Sequence, residues 1–372
     1  MDSQNIVDHF SDLPDPREDN RRHLLIDIIV LVICASICGA EKWADIEAFG
    51  RAKEAWLRRF LELPHGIPSH DTIARVFSRI DPQALNERFV SWVSAINPKH
   101  EREEVNIDGK TLRRSHDASN GKSAIHMVSA WANRAGLTLA QVKVNEKSNE
   151  ITAIPELLKM LELSGCVVTI DAMGTQPDIA KQIVDFEADY VLALKGNKSL
   201  HHEQVKLFFE EIETDRESAA LCDYHKTVNK DHGRIEIREC WATDQLSWLE
   251  GRERFKGLSS ICVVKSQRTI AEQTSTRYLY YISSLPADAQ QLAHLVRAHW
   301  GIENSLHWVL DVAFREDECR KRKDNAAENF AILRHITLNL LKQEKTCKRS
   351  IAGKRLLAGW DTSYMEKVLF SG

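Results

Sequence analysis

The sequence predicts an α/β protein, in which a core of strands is covered by helices, preceded by an all-helical N-terminal segment and interrupted by a β-rich insertion. Three observations carry that expectation. Apolar spacing changes near residue 100 from a helical period to strand alternation. From Val105 to Leu194 the elements read β, β, β, α, β, α, β, the order of a sheet flanked by helices. Two acids, Asp108 and Asp171, each close a short apolar run, in V-N-I-D-G-K and V-V-T-I-D-A-M-G, so each is expected at a strand's exit.

Residues 1–100 read as helices. His23–Ala40 is apolar almost all round, the pattern of a central helix. Its uncharged run Ile28–Ala40 spans 13 residues, whereas a membrane-spanning helix needs about 20. Lys42–Leu61 follows with Trp43, Ile46, Phe49, Trp56 and Phe60 on a charged background. Ser69 is a suitable N-cap for His70–Ile80, which turns Ile73, Val76, Phe77 and Ile80 inward and His70, Arg75 and Arg79 outward. That helix reads equally as the second helix of a helix-turn-helix and as an ordinary helix of a bundle.

The first part of the core is expected over 101–197. Ala124–Ala132 and Leu137–Val144 form a hairpin across N-R-A-G. Glu150–Leu163 is an amphipathic helix, Cys166–Ile170 a strand buried on both faces, Pro177–Phe186 a helix and Tyr190–Leu194 a strand. The β-rich insertion occupies 198–286, with strands at Gly233–Trp241, Ser259–Lys265 and Arg277–Ile282. Ala289–Phe314 and Asn325–Gln343 supply a helical completion over 287–345, and 346–372 reads as a basic tail. His201, His202 and Glu203 read as a solvated helix start rather than a metal site.

The net charge of −4 and pI near 6.4 exclude a protein that coats nucleic acid through overall charge. Local basic clusters remain at Arg21–Arg22, Lys110–Arg114, Arg320–Lys323 and Lys348–Arg355. The eight cysteines include no C-x-x-C pair and several lie in apolar runs, which fits a reducing compartment. The first residues carry acids where an export signal needs cations, so the cytoplasm is expected.

Two carboxylates brought together by neighbouring strands repel each other, and a divalent cation is the usual way for both to stay ionised. All-oxygen ligation suits Mg²⁺ or Mn²⁺, which points to phosphoryl chemistry. Gly109 is expected to turn the backbone while Lys110, Arg113 and Arg114 gather beside the Asp108 carboxylate, a place that suits a metal and a phosphate, and the alternative is a strand-end aspartate that caps its own turn. A third acid is expected on a helix. Ile302, Leu306, Val309 and Ala313 form that helix's apolar stripe, which places Glu303 at its rim with His299, Asn304 and His307 near it. Asp311, Glu316 and Asp317 compete for the same role. Trp300 and Trp308, flanking Glu303, suit packing or the stacking of a base.

V-N-I-D-G-K, T-I-D-A-M-G, Y-V-L-A-L-K-G-N and H-W-G-I-E-N-S-L-H-W-V-L-D-V, followed by E-D-E-C-R and N-A-A-E-N-F, resemble the DDE transposases of bacterial insertion sequences. More narrowly they are similar to the H-repeat-associated transposase family. The resemblance extends over nearly the whole chain, through G-A-E-K-W-A-D-I-E-A-F-G, I-P-S-H-D-T-I-A-R-V-F and E-K-S-N-E-I-T-A-I-P-E-L-L. It implies a ribonuclease-H-like catalytic core whose metal-binding triad is Asp108, Asp171 and Glu303, holding two Mg²⁺ or Mn²⁺ ions. The implied reaction is two-metal cleavage of DNA at the element ends, followed by joining of the freed 3′-OH to target DNA. The partner is then double-stranded DNA, both element ends and target, without a membrane. The active complex is expected to be a homodimer or larger, at the nucleoid of a bacterial cytoplasm.

The wider class of related transposases carries Tyr and Arg seven and four residues before the catalytic Glu and Lys seven after it. Here those positions hold Val296, His299 and Leu310. The phosphate contacts then fall to Lys110, Arg113, Arg114, Lys195, Arg297, His299, Asn304 or the run Arg320, Lys321, Arg322, Lys323. Two competing readings are a catalytically silent DNA-binding remnant and a host-acting metal-dependent nuclease.

Overall fold

An apolar helix needs cover on every side, and the helix at Leu25–Ile37 receives it: every residue but Ile26 is buried, Asp27 included. The Asp27 carboxylate accepts the Leu63 backbone N–H at 2.8 Å. In the computed structural model, which describes residues 6–370 except 19–20, 98–99, 101, 117–122, 146–147, 197–198, 216–218 and 232, this is the second of five helices before the first strand. They are α1 (Ile6–Ser11), α2 (Leu25–Ile37), α3 (Trp43–Leu57), α4 (His70–Arg79) and α5 (Pro82–Ile96). Ser69 Oγ caps α4 at the Thr72 N–H, and Ile73, Val76, Phe77 and Ile80 turn inward.

The strands are β1 (Glu104–Thr111), β2 (His126–Ala132), β3 (Leu137–Lys143), β4 (Val167–Ile170), β5 (Asp189–Leu194), β6 (Asp223–Asp231), β7 (Arg234–Thr243), β8 (Ser260–Ile270) and β9 (Gln273–Ser283). They form one sheet in the order β3-β2-β1-β4-β5-β9-β8-β7-β6. β1, β4 and β5 run parallel and the other pairings are antiparallel. α6 (Glu150–Lys159) and α7 (Pro177–Asp185) make the connections between β3, β4 and β5, and α8 (Ser199–Thr214) follows β5. α9 (Ala289–Ile302) crosses the sheet, touching β1, β4, β5, β6, β7 and β8, and continues through a π turn (Glu303–His307) into α10 (Trp308–Phe314). Val167 and Val191 pack under α9 with Leu292, Leu295 and Val296, while Val168, Ile170 and Leu192 join the main core on the other face. A continuous apolar run is what a strand covered on both sides requires.

Several expectations change. The strands within the β-rich stretch 198–286 extend the core sheet, β9 pairing with β5 from Val191↔Ser283 to Leu194↔Tyr280. α8 and β6 escape a reading by hydrophobic period because their surfaces are largely polar. The expected basic tail folds into α12 (Ile351–Trp360) and α13 (Thr362–Phe370), which follow α11 (Ala326–Gln343). Its cations are partly structural: Arg355 donates to Ser36 O and Glu41, and Lys354 pairs with Glu344. His201 is buried edge-on against Phe255 rather than solvated. Among the described residues no helix is long and apolar enough to cross a membrane.

Candidate active site

Side chains alternate along a strand, so Asn106, Asp108 and Lys110 share the face of β1 that looks toward α9 and α10. Parallel pairing of β1 with β4 ends at Ile107↔Ile170. Asp108 and Asp171 are the residues that follow this last pair. Asp171 leaves β4 and caps a 3₁₀ turn, its carboxylate accepting the Met173 N–H at 2.9 Å. Asp108 differs from the expectation of a strand exit, because β1 runs on to Thr111. Gly109 therefore makes no turn. A Cβ there would lie 2.1 Å from Glu150 Oε1 and 2.5 Å from His126 Nε2, so the glycine leaves room for the His126–Glu150 pair, itself 2.7 Å apart.

Glu303 reaches the same place from the third side. Asp108, Asp171 and Glu303 line one cavity of about 1210 Å³, together with Lys195, Arg297, His299, Trp300 and Asn304. The π turn starts at Glu303, and its extra residue displaces the apolar stripe. The buried positions after Leu306 are Leu310 and Phe314 rather than Val309 and Ala313. Glu303, expected at the rim of that stripe, is exposed and lines the cavity.

Electrostatics distinguish these acids from their rivals. Burial first, with Asp171, Glu150 and Glu303 adding like charge, pushes the Asp108 carboxyl up to about 7. His307 Nδ1 lies 3.5 Å from Asp108, and burial, reinforced by the Lys110 cation, brings this imidazole down to about 3, so it is neutral. The rival acids are already engaged. Lys110 Nζ donates to Asp311 and, at 3.1 Å, to Glu316, while Arg113 pairs with Asp317 at 3.2 Å.

A buried chain of polar groups fixes the neighbouring helix. Asn106 Nδ2 donates to Ala298 O at 2.7 Å, which leaves Asn106 Oδ1 to accept the Thr169 hydroxyl at 2.9 Å. That hydroxyl has one proton, so the Nδ1–H of His299 donates to Thr169 Oγ1 at 2.8 Å. Burial holds His299 at about 4, and the network assigns its lone pair to Nε2. Sequence reasoning missed Asn106 and Thr169. The signal was available: V-N-I-D and V-T-I-D place a polar residue two before each acid, on the acid's own face, and Asn106 pairs with Thr169 across the strands.

The other expected DNA contacts divide. Lys195 lies 4.0 Å from Asp171, and Asn304 donates to Trp300 O at 2.9 Å. Arg114, Arg320 and Lys323 are exposed, and Arg322 donates to Arg114 O at 3.1 Å. Lys110 and Lys321 are withdrawn from solvent. Lys321 lies over the Phe330 ring at 3.7 Å and the Trp43 ring at 4.4 Å and donates to Glu41 O, which removes it from a DNA-facing surface.

The donors facing the cavity fit a hard divalent cation in chemistry, being carboxylate oxygens whose mutual repulsion a cation would relieve. Among the described residues, however, no three ligating side chains converge on one metal position.

Comparison with known proteins shows the family. A family model described as the transposase DDE domain matches residues 99–340, and an associated-domain model matches residues 7–93. The chain belongs to the DDE transposase family. Within it the chain is similar to the "Putative transposase YncI" of Escherichia coli O157:H7, 43% identical over 377 residues that cover 100% of this chain and 96% of that one. It is also similar to the "H repeat-associated putative transposase YhhI" of Escherichia coli K12, 41% identical over 99% of this chain and 98% of that one. A solved piggyBac transposase synaptic complex with hairpin DNA aligns at 12% identity with a TM-score of 0.42, over 98% of this chain and 79% of that one, too slight a likeness to argue from.

Proposed function

We propose that this chain cuts DNA at the ends of an insertion sequence and joins the freed 3′-OH to target DNA, with Asp108, Asp171 and Glu303 as its metal-binding carboxylates. The observation that supports this most is that these acids, from three distant parts of the sequence, line one cavity while Asp311, Glu316 and Asp317 are held by cations. We read β1–β5 as a ribonuclease-H-like core, three antiparallel strands followed by two parallel ones, with the acids on β1 and after β4. Two Mg²⁺ or Mn²⁺ ions held there would supply positive charge to the attacking and leaving oxygens of an in-line displacement. Asp108, Asp171 and Glu303 would hold these ions as carboxylates, and neutral His307 beside Asp108 would not compete for the charge. Lys195 and Arg297, which line the same cavity, are read as holding phosphates of the DNA substrate. The active assembly is proposed to be a dimer or larger in the bacterial cytoplasm.

The test is cleavage of DNA carrying the element's own ends. Asp108→Ala, Asp171→Ala and Glu303→Gln should each abolish metal-dependent nicking, lower Mn²⁺ affinity in calorimetry and leave DNA binding largely intact. Cleavage without any joined product would assign a nuclease, and binding without cleavage in the wild type a silent remnant.

A further inference from the structure

One wall of the cavity is not used by this chemistry. On β7, β8 and β9 the register sets Arg238 opposite Ser266 and Ser266 opposite Arg277, and in the next row Glu236 opposite Arg268. These rows lie beyond Tyr280, the partner of Leu194 at the end of β5. The long strands thus overhang the sheet edge that carries Asp108 and Asp171.

Arg234, Arg238, Arg268, Arg277 and Arg297 all line this part of the cavity, and Glu236 is the acid among them. Glu236 is shared by Arg234 at 3.4 Å, Arg238, and Arg297 at 4.0 Å. Arg268, across from Glu236 in the register, and Arg277 are exposed, and neither makes an ion pair with an acid among the described residues, Glu236 being taken by Arg234, Arg238 and Arg297. Arg238 Nη1 is buried with no acceptor. Burial, together with the neighbouring Arg238 and Arg234 cations, holds the Arg297 guanidinium below its ordinary value. So many cations around one carboxylate repel each other unless an anion joins them.

The shape selects the anion. The cavity is continuous with the acid site, walled by the sheet on one side and α9 on the other, and at about 1210 Å³ it admits a few nucleotides rather than a duplex turn. Trp300, 43% exposed, stands on that wall between Arg297 and Glu303. Cations tracking a backbone with an aromatic face among them are the arrangement that holds single strands. We propose that this overhanging arginine face holds the phosphates of an unpaired DNA strand leading away from the scissile phosphate, so that the substrate is an end opened beside the acids. This rests on the reading of Asp108, Asp171 and Glu303 as the cutting site.

The test uses the full chain in EDTA and two labelled probes, a blunt duplex and the same duplex with a short unpaired thymidine tail. The wild type should prefer the tailed probe. Arg268→Ala/Arg277→Ala should lose about tenfold in affinity for the tailed probe, keep its blunt-duplex affinity within about twofold, and show a salt slope smaller by about 1.4, two contacts at ~0.7 each. Unchanged affinity for both probes, or an equal loss on both, overturns the inference. Metal-dependent nicking by the wild type, tested against Asp171→Asn, decides the underlying reading separately. A protein that cuts as proposed but whose double variant keeps its preference for the tail refutes this inference alone.

Discussion

Replacing Asp108 by Asn tests whether the cavity is built around like charges that a cation relieves. Burial and the acids around it raise Asp108 from an ordinary value of 3.8 to about 7. A carboxyl that binds its proton more tightly in the folded state leaves stability intact below the unfolded value and removes it as pH rises through the folded one. The interval, at roughly 1.4 kcal/mol per pH unit, is worth about 4 kcal/mol once Asp108 is fully ionised. Its side chain is 19% exposed, so solvent screening reduces this only in part, and about 2–4 kcal/mol is expected. Urea denaturation in EDTA from about pH 4 to pH 8 should show the wild type losing stability relative to Asp108→Asn, with the gap opening as pH rises. Adding Mn²⁺ at pH 8 should stabilise the wild type and barely affect the variant. A gap that is constant across the range, or equal stabilisation of both proteins by Mn²⁺, would refute the reasoning.

Lys110→Met leaves Asp311 and the buried Glu316 without their shared cation. Glu316 keeps the buried Arg334 at 3.8 Å, so the change should cost about 1–2 kcal/mol in chemical denaturation, less than stranding a buried charge outright, and leave the salt dependence of DNA binding unchanged. A cost below about 0.5 kcal/mol, or a reduced salt slope, would return Lys110 to the DNA-facing set. Gly109→Ala should cost about 1–3 kcal/mol by displacing the His126–Glu150 pair. In a Glu150→Ala background most of that cost should vanish, and a double-mutant cycle without coupling would contradict the steric account.

Much of the architecture was legible because buried strands and amphipathic helices carry their period in the sequence. β2 and β3 fall where the hairpin was expected, and β4 fills the run Val167–Ile170. The role of Gly109 was misread because a glycine after an acid suggests a turn, whereas its reason lies in Glu150 and His126, far along the chain. The stripe on Glu303's helix went wrong after Leu306 because a π turn inserts a residue that no fixed period anticipates. Lys321 and Arg355 looked like surface cations in sequence. Their burial depends on Trp43, Phe330 and Glu41, partners that a local reading cannot supply. Arg268 and Arg277 were passed over for the same reason, since only strand register brings them to the cavity of Asp108 and Asp171.

The choice of Glu303 over Asp311 as the third acid is the most exposed point of the account, and single-turnover cleavage of end-bearing DNA in Mg²⁺ tests it directly. Glu303→Gln should lose several kcal/mol of transition-state stabilisation, about a thousandfold in rate, while still binding DNA. Asp311→Asn, which disturbs only the Lys110 pair, should retain activity within about a hundredfold. An active Glu303→Gln beside a dead Asp311→Asn would contradict the account.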